Sequence, residues 1–183
     1  MSKDYGRYFG SLMMIGFGIL AFYRWYQTQL LFFLLLVIRD FCAGYFFLKR
    51  KPSKEQSGLS LSILAYISSA MPLLYFDPST DIKALFALSS LLSILGFLLV
   101  TFATLELGSS MGISPARREL VKSGIYRYIK HPMYTGYIIS ESGLALLNPF
   151  NGLLLLLSVS LYFVRAKSEN HILKETKLVP ERI

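Results

Sequence analysis

A polar run from Gly108 to Lys130 separates two apolar stretches and leads into Lys130-His131-Pro132-Met133-Tyr134. A polar connection of this length in an apolar chain is a common place for function. Pro132 suits the first turn of a helix, where its missing N–H is no loss, so Lys130 and His131 stand just ahead of a helix N-terminus. The free N–H groups and positive dipole there favour a carboxylate or phosphate. Arg165 and Glu169 are spaced i, i+4 and so share a helix face. Such a pair holds a zwitterion or carboxylate at a membrane surface, or forms a weak interfacial ion pair worth about 0.3–0.5 kcal/mol; the residues alone favour the weak pair. Cys42 is the sole cysteine and His131 and His171 are the only histidines, so neither a disulfide nor a metal site is expected.

Other polar residues interrupt the apolar runs. Arg39 and Asp40 lie midway along one of them, read as a polar patch on a substrate route or as an ion pair to another helix. Glu141 sits between Ser140 and Ser142, seven residues after Tyr134 and so about 10 Å deeper on a similar face. It either lines a tunnel or is a protonated, hydrogen-bonded core residue. Glu106 closes an earlier run, with nothing in the sequence to set its direction.

The elements that must position these groups are apolar helices. The chain has 183 residues, 54% apolar and 16% charged, with a mean hydropathy of +0.49. Soluble domains carry about 25% charged residues, and disorder requires low hydrophobicity with high charge. The composition predicts an all-α, polytopic integral membrane bundle of about six helices ending in a helical hairpin. The segments run over 8–23, 29–48, 59–76, 84–107, 132–147 and 152–164. The last is short for a span, so it is expected to continue as helix past Arg165. A signal peptide is the rival reading of the N-terminus, but Tyr23-Arg24-Trp25-Tyr26 is unlike a small-residue cleavage site. The tight turn Asn148-Pro149-Phe150-Asn151-Gly152 makes the last two helices antiparallel neighbours. It thereby brings His131, Pro132 and Tyr134 beside Arg165 and Glu169.

Basic residues set the expected orientation. With the N-terminus inside, successive inner segments hold two, four, five and five of the nineteen Lys and Arg, while the outer loops hold only Arg24 and Lys83. Both termini and the 108–130 connector are therefore predicted to be cytosolic. The net charge of +8 is assigned to residues flanking the spans and facing anionic lipid, and no nucleic-acid partner is expected. The predicted organisation is four N-terminal transmembrane helices over 1–107 and one unit of connector, hairpin and tail over 108–183.

The run Leu120-Val121-x-x-Gly124-Ile125-Tyr126-x-x-x-Lys130-His131-Pro132-x-Tyr134-x-Gly136, followed by Arg165, Glu169, Asn170 and Leu173, resembles the isoprenylcysteine carboxyl methyltransferase family; phospholipid N-methyltransferases share a looser form. Lys130 stands where that family usually has Arg, and Asn170 where it has a second Glu. The resemblance implies a membrane methyltransferase that uses S-adenosylmethionine, needs no metal, and acts on a lipid-like or prenylated small substrate. It implies that Arg118, Glu119, Leu120, Val121 and Tyr126 line the cofactor pocket and that His131, Pro132, Met133 and Tyr134 form its other wall. It makes Arg165 and Glu169 the catalytic pair, with Glu169 on the cofactor's amino group and Arg165 on the acceptor carboxylate. Carboxyl methylation of a prenylcysteine-like acceptor is the favoured reading. The alternatives are phospholipid amine methylation and a non-catalytic membrane protein on the same scaffold.

Overall fold

The computed structural model describes residues 6–49, 58–108 and 123–178, with side chains as far as 171. Among them are six α-helices and no strand: α1 (Gly6–Thr28), α2 (Leu31–Lys49), α3 (Leu59–Ala70), α4 (Lys83–Leu107), α5 (Pro132–Leu147) and α6 (Asn151–Leu178). The fold is a helical membrane bundle, as the composition predicts. α5 starts at Pro132, as its N1 preference requires. α6 runs past Arg165, also as expected. The third apolar segment ends differently. Its α-helix stops at Ala70 and tightens into a 3-10 turn over Met71–Leu74. Pro72 is the cause, since it offers no N–H to the preceding turn and its ring crowds the carbonyl four residues back.

α2 and α4 are each long and apolar enough to cross a membrane, and Leu59–Leu74 is a shorter apolar stretch. The other predicted spans do not reach that length and composition: α1 is diluted by Gly, Ser, Tyr and Gln, α5 has 16 residues, and the second half of α6 is charged. The bundle surface nevertheless suits lipid. Leu12 (68% exposed), Ile19, Phe102, Leu156 and Phe163 (69%) all face outward. In water so large an apolar surface would drive association.

Helices pair by what their faces carry. α1 packs along α2, and α4 packs most extensively along α5. The α4–α5 seam is made of small residues. A Cβ added at Gly96 would lie 2.6 Å from the Ser140 nitrogen, and one at Gly136 would lie 2.6 Å from the Gly96 carbonyl oxygen. Two backbones in this contact gain dispersion and weak polar attraction over their whole length, the usual route to helix association in lipid. Phe32, Phe33 and Leu36 of α2 meet Phe97 of α4 and Leu144 and Leu147 of α5 in the main core.

Between α5 and α6 the turn closes one end of the bundle. Asn151 donates to the carbonyls of Phe76 (3.1 Å) and Leu144 (3.0 Å) and accepts from the Phe76 N–H (2.8 Å). Asn148 donates to the Asp77 carbonyl (2.7 Å). Arg24 pairs with the Asp77 carboxylate at 3.0 Å and donates to the Tyr75 carbonyl. The hairpin therefore has one tied end, and the predicted site residues lie at the opposite end.

Candidate active site

At the opposite end, His131 immediately precedes α5 and Glu169 lies in the last part of α6. The hairpin brings them together: His131 Nδ1 is 3.5 Å from Glu169 Oε2, and His131 Nε2 is 3.3 Å from Asn170 Oδ1. Tyr134 donates its hydroxyl to Glu169. His131 stacks on Tyr134, whose ring stacks on Tyr162 with centroids 5.5 Å apart. Arg165 lies over the Tyr134 ring at 5.1 Å and donates to Ser68 Oγ at 2.8 Å. Arg165 and Glu169 thus face the same tyrosine, as their spacing predicts. Arg165 is buried, while the side chains of Glu169 and His131 remain 27% and 22% exposed.

The described end of the connector, from Ser123 on, packs against α4. Glu106, whose direction the sequence left open, turns toward it: its two carboxylate oxygens accept the Ile125 N–H, each at 2.9 Å. Gly124 has a φ of +54°, and a Cβ there would overlap the Glu106 carboxylate. Only glycine meets both demands. This contact holds Tyr126 near the hairpin end. Burial pushes the Tyr126 phenol up, and the Glu169 carboxylate adds to the shift; the group stays neutral at physiological pH. Pro132 is buried, and Met133 packs between the α1–α2 core and the Tyr134–Tyr137–Tyr162 cluster. Arg118, Glu119, Leu120, Val121 and the Leu173 side chain lie outside the described residues.

Deeper in the bundle the sequence reading needs correction at α2. Among the described residues, Arg39 and Asp40 form an ion pair within α2 and not to another helix. They pair with each other at 3.1 Å, Arg39 lies over the Tyr137 ring at 5.1 Å, and the Asp40 Cβ packs 3.4 Å from the place a side chain would take at Gly18. Glu141 is a core residue: fully buried, it accepts from Tyr75 (2.8 Å) and Tyr162 (2.5 Å).

Sequence reasoning missed Tyr162 and Ser68. Tyr162 carried a signal, since with Arg165 and Glu169 it follows the i, i+3, i+7 spacing of one helix face. Ser68 had none, being one of several serines in an apolar segment.

A family model described as phospholipid methyltransferase matches residues 83–176, just over half of the chain. The chain belongs to the phospholipid methyltransferase family. No curated protein matches it, and no solved structure does. The matched segment begins with α4 and takes in the connector, α5 and all but the last two residues of α6; α1–α3 lie outside it. As a phospholipid methyltransferase family member the protein is a membrane methyltransferase, of a class that generally uses S-adenosylmethionine and lipid substrates.

Proposed function

We propose that the chain is an S-adenosylmethionine-dependent methyltransferase whose cofactor sits between the 108–131 connector and the adjoining ends of α5 and α6. The reading rests on one observation: His131, Tyr134, Arg165 and Glu169 converge at the untied end of the hairpin. The residues fit the cofactor chemically. Its ammonium group calls for a carboxylate, which Glu169 offers at a partly exposed position. Its sulfonium suits an aromatic face, as on the half-buried Tyr126. Gly124 keeps the connector close-packed on Glu106. Arg118, Glu119, Leu120 and Val121 would add contacts from the connector, with Pro132 and Met133 in the facing wall. When bound, the cofactor supplies a methyl group on an electron-poor sulfur. The chain's own task is to orient the acceptor and exclude water.

The acceptor we favour is a prenylcysteine-like carboxylate, giving a methyl ester. A carboxylate is already ionised at pH 7 and needs no base, and the Arg165 guanidinium matches it in charge and shape. A second reading, N-methylation of a phospholipid amine, draws on the family's description and on the 3.5 Å approach of His131 to Glu169. An amine must shed a proton, and this pair is placed to take it. The site and both termini face the cytosol in this reading, with 1–107 as the scaffold and 108–183 as the cofactor-binding unit.

The test is cofactor binding by calorimetry on purified protein in detergent, followed by radiolabelled methyl transfer to a farnesylcysteine analogue and to phosphatidylethanolamine. Base-labile label on the farnesylcysteine analogue is the expected result. Label on phosphatidylethanolamine alone selects the second reading. Failure to bind S-adenosylmethionine at all ends both and leaves a non-catalytic scaffold.

A further inference from the structure

We propose that Ser68 of α3 is a positioning residue that sets the Arg165 guanidinium for the anionic group of the acceptor, an inference resting on the acceptor role given to Arg165 above. Arg165 Nη1 donates to Ser68 Oγ at 2.8 Å, and both residues are buried. The Ser68 hydroxyl in turn donates to the Ala65 carbonyl at 2.9 Å. Its proton is thus committed to the α3 backbone, and its lone pairs are left for the guanidinium. The direction of the contact is set by α3 and not by the arginine.

Two features make this a device for anion recognition. Ser68 fixes the guanidinium while adding no charge; an Asp or Glu there would hold it equally well but cancel the charge that attracts a carboxylate or phosphate. The second fixed contact, over the Tyr134 ring at 5.1 Å, comes from α5. Arg165 is a long side chain on α6, and anchors on two other helices remove most of the rotamer freedom it would otherwise lose on binding. α3 also lies outside residues 83–176, the part of the chain that carries the family match. Ser68 therefore ties the hairpin inside the matched segment to a helix outside it, where acceptor preference can be tuned.

The experiment compares wild type, S68A, S68T, R165Q and S68A/R165Q in mixed micelles. Each is measured for S-adenosylmethionine affinity and for acceptor KM, with a farnesylcysteine analogue as the carboxylate arm and phosphatidylethanolamine as the phosphate arm. S68A removes one hydrogen bond to a charged group and is expected to raise the KM of the true acceptor about tenfold. Cofactor affinity should change less than about twofold, S68T should return the KM toward wild type, and S68A should add nothing to R165Q. The arm that responds identifies which anion is bound. An S68A KM equal to wild type while R165Q raises it overturns the role of Ser68 alone. So does an S68A effect that persists undiminished on R165Q, or one that lowers cofactor affinity in parallel, because either marks a structural loss. An R165Q enzyme with unchanged KM for both acceptors overturns the acceptor role of Arg165 itself, and cofactor binding still reports separately on the methyltransferase reading.

Discussion

The two ends of the α5–α6 hairpin are built from different chemistry. At the turn, apart from the Arg24–Asp77 ion pair, amide side chains meet backbone: Asn148 and Asn151 together use four carbonyl or N–H groups of 76–77 and 144. At the other end, side chains meet side chains, and most of them titrate or carry charge: His131, Tyr134, Arg165 and Glu169. Amide-to-backbone bonds are indifferent to pH and hold two segments in a single register. Contacts between partly exposed groups, as between His131 and Glu169, give up less on being exchanged for a ligand. The turn end is therefore assigned to stability and the open end to binding. The two are separable because Glu141, with its two tyrosines, and the main core lie between them.

That division can be broken or sharpened by substitution. The largest effect is expected where both ends depend on one seam. G96L forces a side chain into the Gly136 and Ser140 backbone, an overpacking that costs about 3 kcal/mol or more. It should abolish folded protein by size-exclusion chromatography and cofactor binding together. R165A should act on one end only, lowering kcat/KM about 100-fold, equivalent to about 2.7 kcal/mol, as for truncation of a buried charged partner. Unlike G96L it should remain folded by size-exclusion chromatography, and cofactor affinity should persist. N151A should do the reverse. Losing a buried amide and orphaning its backbone partners costs about 2 kcal/mol, read as a lower Tm with acceptor KM unchanged. If N151A alters KM, or R165A leaves activity intact, the two ends are not the separate devices described.

The smallest effect concerns pH. Burial and Glu169 raise the folded-state pKa of Tyr126 above its usual value of about 10. Above that pH the unfolded chain loses the phenolic proton while the folded chain keeps it, so stability present below pH 10 declines as the pH rises further. Y126F should flatten this alkaline decline of Tm slightly and leave the profile below about pH 9 unchanged. An unaltered slope in Y126F would mean the phenol is as solvated folded as unfolded.

Much of this was legible in the chain itself. Pro132 marked the start of α5, the Asn148–Gly152 turn marked the hairpin, and the four-residue spacing of Arg165 and Glu169 put both on the face that meets Tyr134. These are local features, set by backbone geometry within a turn or two of helix, and local geometry is written in consecutive residues. The register between helices is not. Nothing near Ser68 in sequence announces Arg165, 97 positions away, and nothing near Tyr75 announces Glu141, 66 positions away. Arg39 and Asp40 showed the same limit: their charge was plain, but the Tyr137 ring that receives Arg39 and the closeness of Gly18 to Asp40 follow from how α1 and α5 pack on α2.

Composition and the lengths of the apolar runs by themselves determined that this protein is a helical membrane bundle, because a lipid environment admits few other ways to satisfy a backbone. Which side chains share a site was decided only by the tertiary structure. Helices in lipid have little hydrophobic drive to choose partners, so register follows from close contacts such as Gly96 against Gly136, and those contacts join residues far apart in the chain.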